Sequence, residues 1–226
     1  MSDRALLVVA KRPAAGRTKT RLCPPLTRAE AAELYRCLLL DTLDLIRSVP
    51  GVKPIIAYLP EAAAGYFQEL APDFDLLPQR GADLGERLDN ALTHCLAKGF
   101  RQAVIMNSDG PTLPAENLRM AFEVLEKEVD VVLGPCEDGG YYLVGITRPQ
   151  PGLFRGMEMS TETVMAETLA RARELKLSVA TLPGWYDVDT AGDLARLAAE
   201  LTEAAGGKGR HTRAFLAEHG DLAKVG

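Results

Sequence analysis

Short apolar runs alternate along this chain with longer segments of helical periodicity, and this alternation limits the folds that it can adopt. Arg4–Ala10 is too short for a core helix and is typical of a buried strand. Pro114–Glu128 instead repeats its apolar residues every three or four positions, as a helix with one buried face does. Strands that alternate with helices form a mostly parallel sheet covered on both faces. We therefore predict an α/β protein with three layers.

The predicted elements follow one another with little linker sequence between them. The predicted strands are Arg4–Ala10, Val52–Leu59, Phe74–Leu77, Gln102–Asn107, Val129–Leu133, Tyr141–Ile146 and Leu177–Leu182. The predicted helices are Thr27–Val49, Asp83–Lys98, Pro114–Glu128, Thr161–Lys176 and Thr190–Ala205. Thr27 and Asp83 are each followed three residues later by a glutamate, which is the pattern of a capping box. We expect one domain over residues 1–226, in which residues 205–226 form a tail that packs back as a helix or frays.

The charge and cysteine content argue against several classes of protein. The 226 residues include 26 Lys and Arg against 31 Asp and Glu, so the net charge is −5, whereas proteins that bind nucleic acid need excess cations. No apolar run reaches the roughly 18 residues of a membrane-spanning helix. The four cysteines are scattered without the spacing of a zinc site. We expect a cytoplasmic protein without a nucleic-acid or membrane partner.

A basic segment, Lys11–Leu22, follows the first predicted strand, at the sheet edge where open α/β folds bind ligands. Gly16 would let the backbone approach phosphates, and Lys19 and Arg21 could neutralise their charge. A P-loop is ruled out by spacing, because Thr18 stands where the motif needs a glycine before its lysine. The segment indicates a site for a small, strongly anionic ligand, and a solvated surface loop is the alternative.

Acidic residues follow two other predicted strands. Asp109 lies in the segment Asn107–Pro111, whose composition ordinary turn chemistry also explains. Asp187 and Asp189 lie on the same side of a short extended stretch, and two like charges so close are costly unless a cation compensates them. Mg²⁺ prefers a few carboxylate oxygens together with phosphates. We predict that Asp109 and Asp189 hold Mg²⁺ or Mn²⁺, with the role of Asp187 left open.

Two glycine-containing segments complete the candidate site. Gln79–Arg87 enters a predicted helix, and its start could contact a base or a phosphate, although capping by Asp83 explains it equally well. Gly134–Gly145 has paired glycines before an aromatic strand, which indicates a close backbone approach. The second segment is interpreted as the acceptor-side wall of a cleft, and a hairpin turn around Asp138 is the alternative.

Four of these segments occur in an order that resembles a known family. They are Lys11–Leu22, Ser108–Pro111, Asp138–Leu143 and Asp187–Thr190. The chain resembles glycosyltransferase-A-like proteins of the nucleotide-diphospho-sugar transferase superfamily that are related to 2-phospholactate guanylyltransferase and to the molybdenum-cofactor nucleotidyltransferases. The resemblance spans Leu6–Leu216. It departs from the family pattern at Thr112, Met159 and Ala191–Gly192.

The resemblance implies a nucleotide-diphospho-sugar transferase fold and assigns roles to the segments. The implied nucleotide-binding residues are Lys11, Pro13, Gly16, Arg17, Lys19, Arg21, Gln79, Gly85 and Arg87. The implied catalytic residues are Lys19, Arg21 and Asp109, and the metal ligands are Asp109 and Asp189. The implied acceptor-side residues are Asp138, Gly139, Gly140 and Tyr141.

These roles predict a transferase that depends on Mg²⁺ or Mn²⁺. An acceptor attacks the α-phosphate of a nucleoside triphosphate and pyrophosphate leaves, while Lys19 and Arg21 stabilise the developing charge. The alternatives are glycosyl transfer from a nucleotide sugar and, because of Thr112 and Ala191–Gly192, a nucleotide-binding domain without turnover. The predicted partners are a nucleotide and a small-molecule acceptor. The base, the acceptor and the oligomeric state are not determined by the sequence.

Overall fold

One sheet forms the centre of the computed structural model, which describes residues 2–159, 161–203 and 208–219. Within these residues the strands are β1 (Arg4–Lys11), β2 (Lys53–Leu59), β3 (Asp75–Pro78), β4 (Gln102–Met106), β5 (Val131–Pro135), β6 (Tyr141–Ile146) and β7 (Val179–Thr181). The helices are α1 (Arg28–Arg47), α2 (Ala64–Leu70), α3 (Leu84–Ala97), α4 (Ala115–Leu125), α5 (Pro151–Phe154), α6 (Val164–Glu174), α7 (Ala191–Glu203) and α8 (Arg210–Glu218). Short 3₁₀ turns cover Thr20–Leu22 and Glu61–Ala63.

The strand order is β3-β2-β1-β4-β6-β5-β7, and every described strand except β6 runs in one direction. The predicted mostly parallel sheet is therefore confirmed. β6 runs antiparallel to β4 and β5 because a hairpin joins it to β5, so the hairpin alternative at Asp138 is also confirmed. As a result, the carboxyl ends of β1 to β5 and the amino end of β6 lie at the same edge of the sheet.

Helices cover both faces of the sheet, which confirms the predicted three layers. Alternate residues of β1 divide between the faces, as the pleat of a strand requires. Leu6 and Val8 belong to an apolar cluster with side chains of α1, α2 and α4. Ala5 and Leu7 belong to another, with side chains of α3, α5 and α6. Both clusters are almost fully buried, so the two helix layers fix the position of the sheet.

A third apolar cluster joins α1 to α7 and α8. Asp41 of α1, itself buried, accepts hydrogen bonds from the backbone N–H groups of His211 and Thr212, both at 2.9 Å, and from the Thr212 hydroxyl at 2.6 Å. These donors lie at the start of α8, where the N–H groups have no partner within the helix. The described part of the predicted tail therefore packs back as a helix, and the rest of residues 205–226 lies outside the described residues.

The structure also corrects several predicted boundaries. β5 begins at Val131 rather than Val129, and β7 is shorter than the predicted Leu177–Leu182. The helices α2 and α5 were not predicted, because elements of seven and four residues are too short to display a helical period. The capping box at Thr27 is confirmed, with both reciprocal hydrogen bonds to Glu30 formed. Among the described residues, no helix combines the length and the apolar character that crossing a membrane requires.

Candidate active site

A cavity of about 1140 Å³ opens at the carboxyl edge of the sheet. Its walls come from the loop after β1, the ends of β2 and β4, the start of α3, the β5–β6 hairpin, the segment before α6 and the segment before α7. Binding sites for small molecules usually enclose roughly 300–1,000 Å³. The cavity therefore has room for a nucleotide and a second small molecule.

The ammonium group of Lys19 lies between the two carboxylates that the sequence predicts as metal ligands. Its Nζ is 2.6 Å from Oδ1 of Asp109 and 2.7 Å from Oδ1 of Asp189. The Lys19 side chain is only 6% exposed, and Arg21 adds a weaker contact, 3.8 Å from its Nη1 to Oδ2 of Asp189. The fold thus brings Asp109 and Asp189 together across 80 residues of sequence, around one cation.

The loop after β1 is built to place Lys19 in this position. Gly16 and Lys19 both have positive φ, 72° and 49°, and the Thr18 hydroxyl donates to the Ala14 carbonyl at 3.2 Å. Leu22, at the end of the 3₁₀ turn, is fully buried in the cluster between α1 and α7. A non-glycine residue in the left-handed region carries a conformational cost, so the loop holds Lys19 there by its surrounding contacts.

The charges around Lys19 decide its protonation. Burial alone would lower the pKa of Lys19, but the charges of Asp109 and Asp189 outweigh burial and raise that pKa above its ordinary value. Lys19 therefore carries a positive charge at neutral pH. It compensates two carboxylates that would otherwise repel each other.

Asp187 contributes a third carboxylate to the same cavity. Its Oδ2 accepts a hydrogen bond from Nδ2 of Asn107 at 2.7 Å, while its Oδ1 is buried and has no hydrogen-bond partner among the described residues. Burial, and after it the charge of Asp109, raise the pKa of Asp187 to about 7. An orphaned carboxylate oxygen at this depth is costly and indicates a position where a cation or a donor would bind.

Two hydroxyl groups, of Tyr35 and Ser108, connect α1 to the ends of β1 and β4, and the sequence analysis indicated Ser108 but missed Tyr35. The Tyr35 hydroxyl accepts from the backbone N–H of Lys11 at 3.0 Å and lies 3.1 Å from the Ser108 hydroxyl. Burial, followed by the charge of Asp109, raises the pKa of Tyr35 to about 12. The available signal was one tyrosine among the buried residues of α1, which core packing explains equally well.

The wall on the β1 side carries the cations of the cavity. The lining cations are Lys11, Arg17, Lys19, Arg21 and Arg87. Gln79 also lines this part, with its amide Nε2 donating to the Ala57 carbonyl at 2.7 Å. The Nε of Arg87 is buried without a hydrogen-bond partner in the described part of the chain. Six of the nine predicted nucleotide-binding residues therefore line the same cavity.

The three other predicted nucleotide-binding residues do not line the cavity. Pro13 and Gly16 lie in the loop after β1, and Gly16 allows its turn by its positive φ. Gly85 is packed inside α3, where a Cβ would lie 2.3 Å from the Phe154 carbonyl oxygen. The sequence interpretation of Gly85 as a nucleotide contact is therefore corrected to one of close helix packing.

The β5–β6 hairpin forms the opposite wall and contains all four predicted acceptor-side residues. Gly139 has φ +88°, and a Cβ there would lie 2.0 Å from the Glu162 carbonyl oxygen. Its own carbonyl accepts from the backbone N–H of Met165 at 2.9 Å, which attaches the start of α6 to the hairpin. The hairpin turn therefore also forms part of the cavity wall, and the assignment of this wall to the acceptor stays a prediction.

Known proteins share this fold and parts of this sequence. The family model described as "Uncharacterized protein conserved in bacteria (DUF2064)" matches residues 42–161, which is more than half of the chain. A solved structure from Desulfovibrio desulfuricans G20, assigned as a nucleotide-diphospho-sugar transferase, is 33% identical, with a TM-score of 0.91 over 99% of this chain and 98% of that one. The predicted fold family is confirmed.

Two further known proteins resemble this chain, one in sequence and one in fold. A 2-phospho-L-lactate guanylyltransferase of Methanobrevibacter smithii is 30% identical to this chain over 123 residues. The match covers 54% of this chain and about half (53%) of that protein. A cytidylyltransferase from Leptospira borgpetersenii has a TM-score of 0.63 over 100% of this chain and 98% of that one, at 12% identity, which indicates a common fold. These relatives are transferases, in agreement with the predicted enzyme class.

Proposed function

The chain belongs to the DUF2064 family, and from this premise we propose that it is a metal-dependent nucleotidyltransferase. It transfers a nucleoside monophosphate from a nucleoside triphosphate to a small acceptor and releases pyrophosphate. The observation that carries the proposal is the Lys19 ammonium between Asp109 and Asp189, in a cavity with cations on one wall. This arrangement offers positive charge for a polyphosphate and carboxylates for a metal ion at the same place.

The donor set fits a divalent cation. Asp109, Asp187 and Asp189 supply carboxylate oxygens, the ligands that Mg²⁺ and Mn²⁺ prefer, and Oδ1 of Asp187, whose carboxylate lies beside the Cys136 thiol, accepts no well-formed hydrogen bond from the described residues. Asp109 and Asp189 already share one cation, the Lys19 ammonium, so this position favours positive charge. We assign Asp109 and Asp189 as the metal ligands. A bound metal would neutralise phosphate charge and polarise the phosphoryl group.

The cations of the β1-side wall bind and orient the triphosphate. Lys11 comes from the end of β1, Arg17 from the loop after it and Arg87 from α3, so three separate segments contribute charge to the phosphate site. Lys19 and Arg21 lie closest to the carboxylates and stabilise the charge that develops as pyrophosphate leaves. When the phosphates bind, the Lys19 ammonium becomes shared between them and the carboxylates that it contacts in the free protein.

The relatives support nucleotidyl transfer over other chemistry of this fold. The guanylyltransferase and the cytidylyltransferase are each named for transferring a nucleotide. The relative from Desulfovibrio desulfuricans G20 favours a second candidate, the use of a nucleotide sugar as donor. Five lining cations suit the charge of a triphosphate better than the smaller charge of a nucleotide sugar, and for this reason we rank nucleotidyl transfer first.

The test is pyrophosphate release by the purified chain with each of the four ribonucleoside triphosphates, Mg²⁺ and a panel of small acceptors. We expect release with at least one triphosphate, together with a rise in Tm on binding of that triphosphate. The Lys19→Met variant should release pyrophosphate about 100-fold more slowly and show a smaller rise in Tm, whereas the matched Lys53→Met variant, whose surface ion pair with Asp75 is remote from the cavity, should keep both responses. Rises in Tm with UDP- or GDP-sugars but with no triphosphate would contradict the proposal and favour the second candidate.

A further inference from the structure

The charges that line the cavity are divided between its two walls. Among the described residues, the five lining cations come from the end of β1, the loop after it and α3, on the side where the triphosphate is proposed to bind. The β5–β6 hairpin and the segment before α6 form the other wall and contribute three acidic residues to its lining, Glu137, Asp138 and Glu162. Among the described residues, no Lys, Arg or His from this second wall lines the cavity.

Arg196 lies next to the hairpin, but its guanidinium group is already paired with a carboxylate and stacked on an aromatic ring. Both of its terminal nitrogens pair with the carboxylate of Glu137, at 2.7 and 3.0 Å. Its guanidinium carbon lies 3.8 Å from the centre of the Tyr186 ring, so the group is stacked as well as paired. Arg196 therefore neutralises Glu137. The wall keeps a net negative charge from Asp138 and Glu162.

The backbone of the hairpin also lacks free donors at its glycines. The N–H of Gly139 donates to the Cys136 carbonyl at 3.2 Å, and the N–H of Gly140 donates to Oδ1 of Asp138 at 2.9 Å. Successive free N–H groups can form an anion-binding concavity, but these two are already used. The rest of the wall is neutral, with Tyr141, Met159 and Val164 facing the cavity.

We propose that the acceptor is a neutral or cationic small molecule that reacts through a hydroxyl group, and that it is neither a phosphate monoester nor a carboxylate. This inference rests on the proposed nucleotidyl transfer. An anionic acceptor on the hairpin wall would lie against carboxylates and find no cation to replace its lost hydration. A polyol or an amino alcohol instead finds carboxylate oxygens that accept hydrogen bonds from its hydroxyl or ammonium groups.

The transfer step balances with no further reactant. The acceptor oxygen forms a bond to the α-phosphorus, and the bond from that phosphorus to the oxygen bridging to the β-phosphorus breaks. Pyrophosphate leaves with the bonding electron pair, and the hydroxyl proton passes to solvent. The product is a phosphodiester between the nucleoside and the acceptor. The acceptor in the name of the guanylyltransferase relative is a phosphorylated acid, so the proposal assigns this chain a different class of acceptor.

The experiment uses matched pairs of acceptors that differ by one phosphate. The pairs are glycerol with glycerol 3-phosphate, ribitol with ribitol 5-phosphate, and ethanolamine with phosphoethanolamine. Pyrophosphate release is measured with the triphosphate that binds, and saturation-transfer NMR with its α,β-methylene analogue detects acceptor binding without turnover. We expect the unphosphorylated member of at least one pair to bind and to react at least about tenfold faster than its partner.

The Glu162→Lys variant adds a cation to the hairpin wall and should raise binding of the phosphorylated members at least about tenfold. Glu158→Lys is the control, because Glu158 is exposed in the same segment but does not line the cavity. Preference of the original chain for phosphorylated members, or failure of every unphosphorylated member to bind, would overturn the acceptor assignment. Failure of all triphosphates to bind would instead overturn the proposed function, so the two failures are distinguishable.

Discussion

Two groups of acidic side chains in this structure contain similar ligand atoms but differ in what compensates their charge. The α8 cluster consists of Asp41, Asp44 and His211, whose ligand atoms lie within 4.8 Å of one another. Both oxygens of Asp41 accept hydrogen bonds from the start of α8, and Asp44 pairs with Arg47 and Arg210. The charges of the α8 cluster are therefore satisfied within the fold and attach α8 to α1.

The cavity cluster consists of Asp109, Asp187 and Asp189, and its charges are satisfied only in part. Lys19 contacts two of these carboxylates, while Oδ1 of Asp187 accepts no well-formed hydrogen bond from the described residues. The cavity cluster also lines the cavity at the carboxyl edge of the sheet, whereas the α8 cluster does not line it. The difference teaches that proximity of acids does not by itself identify a ligand site. Incomplete compensation next to a cavity is the more informative observation.

The largest expected effect is the loss of catalysis in Asp109→Asn. This change keeps the shape of the side chain but removes one negative charge from the proposed metal site, and kcat should fall about 1,000-fold. The measurement is the initial rate of pyrophosphate release at saturating triphosphate. Asp75→Asn, which alters a surface carboxylate paired with Lys53, is the control and should keep normal activity. Activity within about tenfold of the original in Asp109→Asn would remove Asp109 from the catalytic machinery.

Lys19→Met should lower kcat about 100-fold, because a cation at the developing charge is lost. The same change leaves Asp109 and Asp189 without their shared counter-charge in the metal-free protein. Lys19→Met should therefore show a lower Tm than the original chain in EDTA and a larger rise in Tm when Mg²⁺ is added. An identical Tm response to Mg²⁺ in both proteins would show that Lys19 and the metal ion do not share a position.

Asp187 should make the stability of the metal-free protein depend on pH. Its pKa is raised from 3.8 to about 7, first by burial and then by the charge of Asp109, so the folded protein binds more protons than the unfolded chain between these values. The stabilisation is complete below pH 3.8 and is lost as pH rises through about 7. Urea unfolding in EDTA between pH 4 and pH 8 should show a loss of roughly 3 kcal/mol that Asp187→Asn removes. Equal pH profiles for the two proteins would contradict this assignment.

Asp41→Ala should act on stability and leave metal binding unchanged. The change leaves two N–H groups at the start of α8 and the Thr212 hydroxyl without their acceptor, at a cost of about 2 kcal/mol. Urea unfolding measures this cost, and the rise in Tm on adding Mg²⁺ with triphosphate should equal that of the original chain. If Asp41→Ala abolished this rise at a temperature where the variant is folded, the α8 cluster would be a ligand site after all.

Much of the fold was predictable because it depends on local patterns. The alternation of short apolar runs and helical periods predicted the central sheet, and the Thr27 capping box predicted the start of α1. The short helices α2 and α5 could not be predicted, since their boundaries depend on packing against the sheet. The direction of β6 was left open, because Asp138-Gly139 is compatible with either a hairpin turn or a ligand-binding loop.

The candidate site was less predictable than the fold, because its contacts join residues far apart in the sequence. The sequence indicated Lys19, Asp109 and Asp189 separately, but it assigned the lysine to phosphates and the acids to a metal. The left-handed backbone at Lys19 places its ammonium group between the two carboxylates. This backbone conformation could not be predicted, because lysine has no preference for it. Gly85 was misassigned because a glycine needed for packing against Phe154 is indistinguishable in sequence from one beside a ligand.

The most direct test of the central claim is a titration of the metal-free chain with Mn²⁺, followed by the EPR signal of free Mn²⁺. The titration contains the α,β-methylene analogue of the triphosphate that binds. The account predicts that Asp189→Asn weakens Mn²⁺ binding at least about tenfold, whereas Asp44→Asn leaves it unchanged. Unchanged Mn²⁺ binding in Asp189→Asn, with loss of binding in Asp44→Asn, would contradict it and place the metal site in the α8 cluster.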